Sequence, residues 1–131
     1  MVFGVFDGLH DGHRFFLENT SALGNALTIV VAQDETAKKL KGCTPQFPLS
    51  ERIERLKKEY SHANVIAGDQ EEAKWNVIET HKPDIIALGY DQDILFKPLE
   101  EYRDSCQFTF EITRIAAFKP DKMHSRFLKR E

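Results

Sequence analysis

Two histidines three positions apart, His10 and His13, stand in the stretch Gly4-Val5-Phe6-Asp7-Gly8-Leu9-His10-Asp11-Gly12-His13. Each imidazole can give an N–H to a phosphate oxygen, and its charge is adjustable near neutral pH. That suits a group that steadies charge as it develops. Gly12 has no Cβ, so an anion can come close to its backbone. Met1-Val2-Phe3 before the stretch is apolar and reads as a buried strand, while the pattern from Phe15 onward is helical. A strand, a glycine-containing loop and a helix start are together where α/β proteins bind phosphate. Unpaired backbone N–H groups and the positive end of the helix dipole point out of such a loop. Two other readings stand beside this one. Histidines at i and i+3 make half a metal site, although no third ligand is near and Cys43 and Cys106 are far off in sequence. They could also be structural, although histidines beside glycine at a loop apex are poor core candidates. The spacing favours phosphate, and no metal held by the protein itself is expected.

The rest of the chain supplies elements to position this loop. The first helix is expected over about His13 to Leu23, with Phe16, Thr20 and Leu23 on one face, Phe15, Asn19 and Ala22 beside it, and Gly24 as a left-handed stop. Ala26–Ala32 (ALTIVVA) reads as a strand covered on both faces, completing a right-handed βαβ unit. Asp34 is the expected N-cap of a short helix that ends in Lys38, Lys39 and Lys41 before Gly42. Lysines there complement the helix dipole and stay solvated. Thr44-Pro45-Gln46-Phe47-Pro48 is an extended linker, and Ser50 is the expected cap of a helix from about Glu51 to Tyr60 that buries Ile53, Leu56 and Tyr60. Arg52 and Arg55 on that helix face the site or water, and water is the expectation.

Asn64–Ala67 reads as a strand, Glu71–His81 as a helix with Trp75 in the core, and Asp84-Ile85-Ile86-Ala87-Leu88 after Pro83 as leading into the fourth strand. Gly89-Tyr90-Asp91-Gln92 follows at its carboxyl end, where open parallel sheets bind ligands and where a plain turn is equally consistent. Pro98–Cys106 reads as helix, Phe108–Ile115 as an alternating strand at an edge, and Ser125 as the N-cap of a final helix with its own free backbone donors.

A chain of 131 residues with 41% hydrophobic and 30% charged residues is expected to form one soluble globular domain over 1–131. The net charge of −3 argues against a general nucleic-acid or membrane surface, so any anion site is local. Two cysteines give neither a disulfide framework nor a zinc motif, no signal peptide precedes the first strand, and no apolar run approaches membrane-spanning length. A cytoplasmic protein is expected. The chain starts inside the expected first strand and ends inside an expected helix, which leaves a compact natural version and a shortened one both open.

Gly4-Val5-Phe6-Asp7 followed by His10-Asp11-Gly12-His13 resembles the G-x-F-D-x-x-H-x-G-H signature of the cytidylyltransferase-like nucleotidyltransferases. The tract Lys82–Gln92 (KPDIIALGYDQ) and His124-Ser125 resemble the archaeal-type FAD synthase branch, with the glycerol-3-phosphate cytidylyltransferases as near relatives. At the end of the chain the match is partial, with Lys119 where the cytidylyltransferases carry an arginine. The resemblance covers nearly the whole chain. It implies an α/β fold, a Rossmann-like three-layer sandwich with a five-stranded, mainly parallel sheet and the site at the carboxyl edge.

It also implies transfer of a nucleotidyl group from a nucleoside triphosphate to a phosphomonoester, with magnesium bound mainly through substrate phosphates and pyrophosphate released. ATP and FMN are the leading pair. CTP with a small phosphate such as glycerol 3-phosphate is the alternative, and a non-catalytic nucleotide-binding regulator is a second one. By the same resemblance His10, His13 and Lys41 are catalytic, with Lys38 the other candidate for the triphosphate lysine. Val5, Phe6, Asp11, Gly12, Gly89, Asp91 and Ser125 join the histidines in binding the nucleotide. Asp7 acts through water or fixes the loop, and a homodimer is consistent with the family.

Overall fold

The computed structural model describes residues 1–70, 75–89 and 92–115, with Lys41 described by its backbone alone. The expected roles of Asp91, Lys119, His124 and Ser125, and the first turn of the helix expected from Glu71, lie outside those residues. So does any contact of the Lys41 side chain.

The elements follow one another as β1 (Val2–Gly4), α1 (Asp11–Ser21), β2 (Thr28–Val31), α2 (Asp34–Lys41), α3 (Leu49–Glu59), β3 (Asn64–Ala67), α4 (Asn76–His81), β4 (Ile85–Leu88), α5 (Asp93–Ser105) and β5 (Glu111–Arg114). The five strands form one sheet in the order β3-β2-β1-β4-β5. Every pairing is parallel, with Val2 opposite Ile29 on one side and Ala87 on the other. Alternation along the buried strands sorts their side chains between two cores. Ile29 and Val31 join Phe15 and Leu17 of α1 and Leu56 of α3, whereas Val30, Ile86 and Leu88 join Ile78 of α4 and Leu99 of α5. The result is the expected three-layer α/β sandwich with a parallel sheet at its centre. Among the described residues no helix is long and apolar enough to cross a membrane.

Several helix ends differ from expectation, each for a local reason. α1 starts before His13, because His10 itself caps it. It closes on Ala22 in a right-handed conformation, where Ala22 N–H donates to Glu18 and Leu23 N–H to Thr20, so Gly24 is not the stop. The buried Asn19 and Thr20 side chains bond the carbonyls of Phe15 and Phe16 one turn back, both at 2.8 Å. Gln33, not Asp34, is the N-cap residue of α2, while Gly42 at φ 80° supplies its left-handed end. Pro48 precedes α3, and its carbonyl takes the amides of Glu51 and Arg52, leaving Ser50 inside the first turn. α5 begins at Asp93 and carries Pro98 in its interior. The proline deprives the Ile94 carbonyl of its donor on a turn whose side chain is 71% exposed, where water can replace it. Fully buried Leu99 holds the helix to the sheet.

Candidate active site

The sheet order reverses between β1 and β4, and at such a reversal the loops leaving the carboxyl ends part to opposite faces and open a crevice. The loop from Val5 to His10 leaves β1 there, and Gly89 leaves β4. Gln92 joins the two edges, its Nε2 donating to Phe3 O at 2.7 Å and its Oε1 accepting from Gly89 N at 2.8 Å. Gln33 does the same between β2 and β3 by donating to Gly68 O at 2.9 Å.

The loop is shaped by Phe6, whose φ of 53° is a conformation that bulky residues rarely adopt. Burial holds it there, since Phe6 is 4% exposed within the α1–α3 core. Its ring covers Gly4 so closely that a Cβ at Gly4 would lie 2.6 Å from Phe6 Cε2. The next residue, Asp7, accepts the amides of Gln46 at 2.6 Å and Phe47 at 2.8 Å. Asp7 therefore fixes this loop to the linker between α2 and α3, the second of its two expected roles.

His10 is the N-cap of α1. Its Nδ1 accepts from Gly12 N at 3.0 Å and His13 N at 3.4 Å. A ring nitrogen that accepts carries no hydrogen, so in the neutral ring Nε2 bears the N–H and is a donor. The His13 ring stacks on it at 3.8 Å between centroids with 20° between planes, and Phe6 flanks His13 at 5.3 Å. Gly12 has a different reason to be glycine than close approach of an anion. A Cβ there would come within 2.9 Å of His10 Cε1, so the missing side chain makes room for the capping ring. The Gly12 and His13 amides expected to face a phosphate are here engaged by His10, and the outward donor is the imidazole. Asp11, in the first turn, is exposed.

Arg52 is the residue that sequence reasoning misplaced. It faces neither water nor an open site but is fully buried. Its Nη1 donates to Val5 O at 2.8 Å, its Nε to Phe47 O at 3.0 Å and its Nη2 to Asp34 Oδ1 at 2.6 Å. One guanidinium thus ties the loop after β1, the linker and the start of α2 together. Its signal was present in the spacing, because Arg52, Leu56 and Tyr60 recur every four residues and all three are buried. Val5 and Phe6 contribute backbone rather than open side chains, as both are buried. Arg55 is exposed as expected, with an ion pair to Glu51 at 3.0 Å.

His10, His13, Asp11, Gly12 and Gly89 thus come to one edge of the sheet. Lys38 is exposed, and Lys41 closes α2 in backbone terms just before Gly42. The eight residues of α2 span about 12 Å, which carries its last turn away from the strand end where it starts.

Comparison with known proteins gives a consistent picture. A family model described as Cytidylyltransferase-like matches residues 1–129. The chain is 39% identical over 132 residues to the FAD synthase of Pyrococcus abyssi, covering 99% of this chain and 89% of that protein. It is 32% identical to the FAD synthase of Thermoplasma acidophilum, covering 100% and 91%. Among solved structures, that of a lipopolysaccharide core biosynthesis protein from Thermoplasma volcanium GSS1 matches with a TM-score of 0.82 and 34% identity, covering 91% of this chain and 96% of that one.

Proposed function

The chain belongs to the cytidylyltransferase-like family, and from that premise we propose that it is an FMN adenylyltransferase, a nucleotidyltransferase that makes FAD from ATP and FMN. The observation that carries this reading is the capping arrangement of His10. Accepting two amides at Nδ1 commits its Nε2–H outward, beside the stacked His13, at the point where the sheet reverses.

In this reaction an oxygen of the FMN phosphate attacks the α-phosphorus of ATP. A new P–O bond forms as the bond to the bridging oxygen on the β side breaks, and pyrophosphate leaves. No covalent enzyme intermediate is needed, so the protein supplies position and charge. His10 Nε2–H and His13 donate to oxygens of the α- and β-phosphates, and the positive end of α1 adds to their effect. One such donor is worth roughly 100- to 1,000-fold in turnover. Lys41, or Lys38 in its place, neutralises the departing pyrophosphate. Gly89, Asp91 and Ser125 contact the nucleotide, with Val5, Phe6 and Gly12 lending backbone. The site is proposed to belong to one domain over residues 1–131.

Magnesium fits this donor set as a companion of the phosphates. Both Asp7 oxygens accept backbone amides, while Asp11 is exposed and can meet a hydrated ion through water. When bound, the ion would add positive charge at the phosphates, with Asp11 reaching it through water. We place the enzyme in the cytoplasm, where its free Cys43 and Cys106 stay reduced.

The test is pyrophosphate release with magnesium, ATP or CTP being paired in turn with FMN, glycerol 3-phosphate and pantetheine phosphate. Release that requires both ATP and FMN supports the proposal. Release with CTP and a small phosphate replaces it with a cytidylyltransferase, and nucleotide binding without release from any pair replaces it with a regulator.

A further inference from the structure

A groove of about 390 Å³ lies beside the histidine pair, lined by Leu9, Arg14, Arg55, Lys58 and Glu59. Its size falls within the range of small-molecule sites, roughly 300 to 1,000 Å³. It borders the loop after β1 at Leu9, the residue before His10, and α1 at Arg14, the residue after His13. Arginine or lysine supplies three of its five lining residues, on a chain whose net charge is −3.

These cations are not equally available. Arg14 is committed, with Nε 2.6 Å from Glu59 and Nη1 3.6 Å from Asp11. Arg55 offers its edge to Glu51 at 3.0 Å and lays one face over the Phe47 ring at 3.9 Å. Its side chain is nevertheless 48% exposed and borders the groove, so a ligand in the groove can reach it. The Nε–Nη2 edge is paired with Glu51 and one face is covered by Phe47, which leaves the Nη1 edge and the opposite face. A second flat ring fits the remaining face well. Phe47, the other half of this platform, is held by the Asp7 carboxylate and packs near Gly8. The platform and the phosphate loop are therefore one unit with a fixed offset.

We propose that this groove seats the planar ring of the acceptor, stacked on Arg55 opposite Phe47, with the acceptor phosphate carried past Leu9 to His10. Lys58 donates to carbonyl oxygens on the polar edge of the ring, and Leu9 covers its apolar part. The inference deepens the adenylyl-transfer reading and rests on it, and it gives a reason for a flavin rather than a small polyol phosphate as acceptor.

Flavin fluorescence titration tests the seat without turnover. Wild-type protein is expected to quench both FMN and riboflavin. Arg55→Ala should weaken both by about tenfold while ATP affinity stays unchanged. Arg55→Lys, which keeps the charge and removes the flat face, should recover little of the loss. Wild-type protein that binds neither flavin, Arg55→Ala that binds both as tightly as wild type, or full recovery by Arg55→Lys would each overturn the proposal. Flavin binding that depends on Arg55 without pyrophosphate release from ATP and FMN would instead overturn adenylyl transfer and leave the seat in place.

Discussion

The imidazole of His10 lies flat on that of His13, 3.8 Å away, while its Nδ1 holds the amides at the start of the helix that carries His13. The first histidine of the motif thus positions the second, and on the proposed reading capping and catalysis share one ring. Their contributions separate by substitution. His10→Ala loses the cap and the donor together, whereas His10→Asn keeps a good capping side chain without an imidazole. His10→Ala should lower stability by about 1 kcal/mol. His10→Asn should restore most of that, while both variants lose roughly 100- to 1,000-fold in turnover. Urea unfolding and pyrophosphate release measured on the same preparations check the two halves.

Gly12→Ala makes the complementary perturbation. Its Cβ would fall 2.9 Å from His10 Cε1, and the ring, rather than the backbone, is free to move. The fold should survive with a cost near that of losing the cap, about 1 kcal/mol, while turnover falls with the displaced donor. A variant as active as wild type would show that the capping pose is not the working one.

Arg52 and Asp34 form an unequal pair, because the arginine side chain is fully buried and the aspartate side chain 49% exposed. Removing Arg52 strips partners from two carbonyls and a carboxylate, and Arg52→Ala should cost about 3 kcal/mol. Asp34→Ala should cost less, since Arg52 keeps its bonds to Val5 and Phe47 and solvent already screens the carboxylate. Denaturant midpoints of the two variants measure the difference.

Asp7 makes a local prediction. Its carboxylate takes two consecutive amides of the linker, so Asp7→Ala should speed hydrogen exchange at Gln46 and Phe47 by about tenfold and leave the strands unchanged. Site-resolved exchange reads this directly. Flavin affinity should weaken as well, because Phe47 supports Arg55.

The sheet was legible in the sequence because its inner strands are short apolar runs between turn residues and its edge strand β5 lies in an alternating tract, and Asn64–Ala67 matches β3 at both ends. The motif loop was legible because its residue types are unusual together. Helix ends were less so. Gly24 and Ser50 have the right identities for a stop and a cap, but Ala22 and Pro48 hold those positions, a choice made by packing of the neighbouring turns. Pro98 obscured the first turn of α5, because local propensity weighs against a proline that Leu99 burial outweighs. The inward direction of Arg52 was carried by its spacing from Leu56 and Tyr60 but masked by its charge, since a buried cation makes sense only once the Val5 and Phe47 carbonyls are known to converge on it. Gly12 was chosen for a ring two residues away, a reason that appears only in three dimensions.

The most direct measurement is to follow the label from ATP labelled at the α-phosphate, in the presence of FMN and magnesium, with wild-type protein and His10→Asn. Labelled FAD and pyrophosphate are expected in equal amounts from wild type, with a loss of roughly 100-fold or more in His10→Asn. Labelled FAD formed equally well by both proteins, or none formed by wild type, would contradict the proposal.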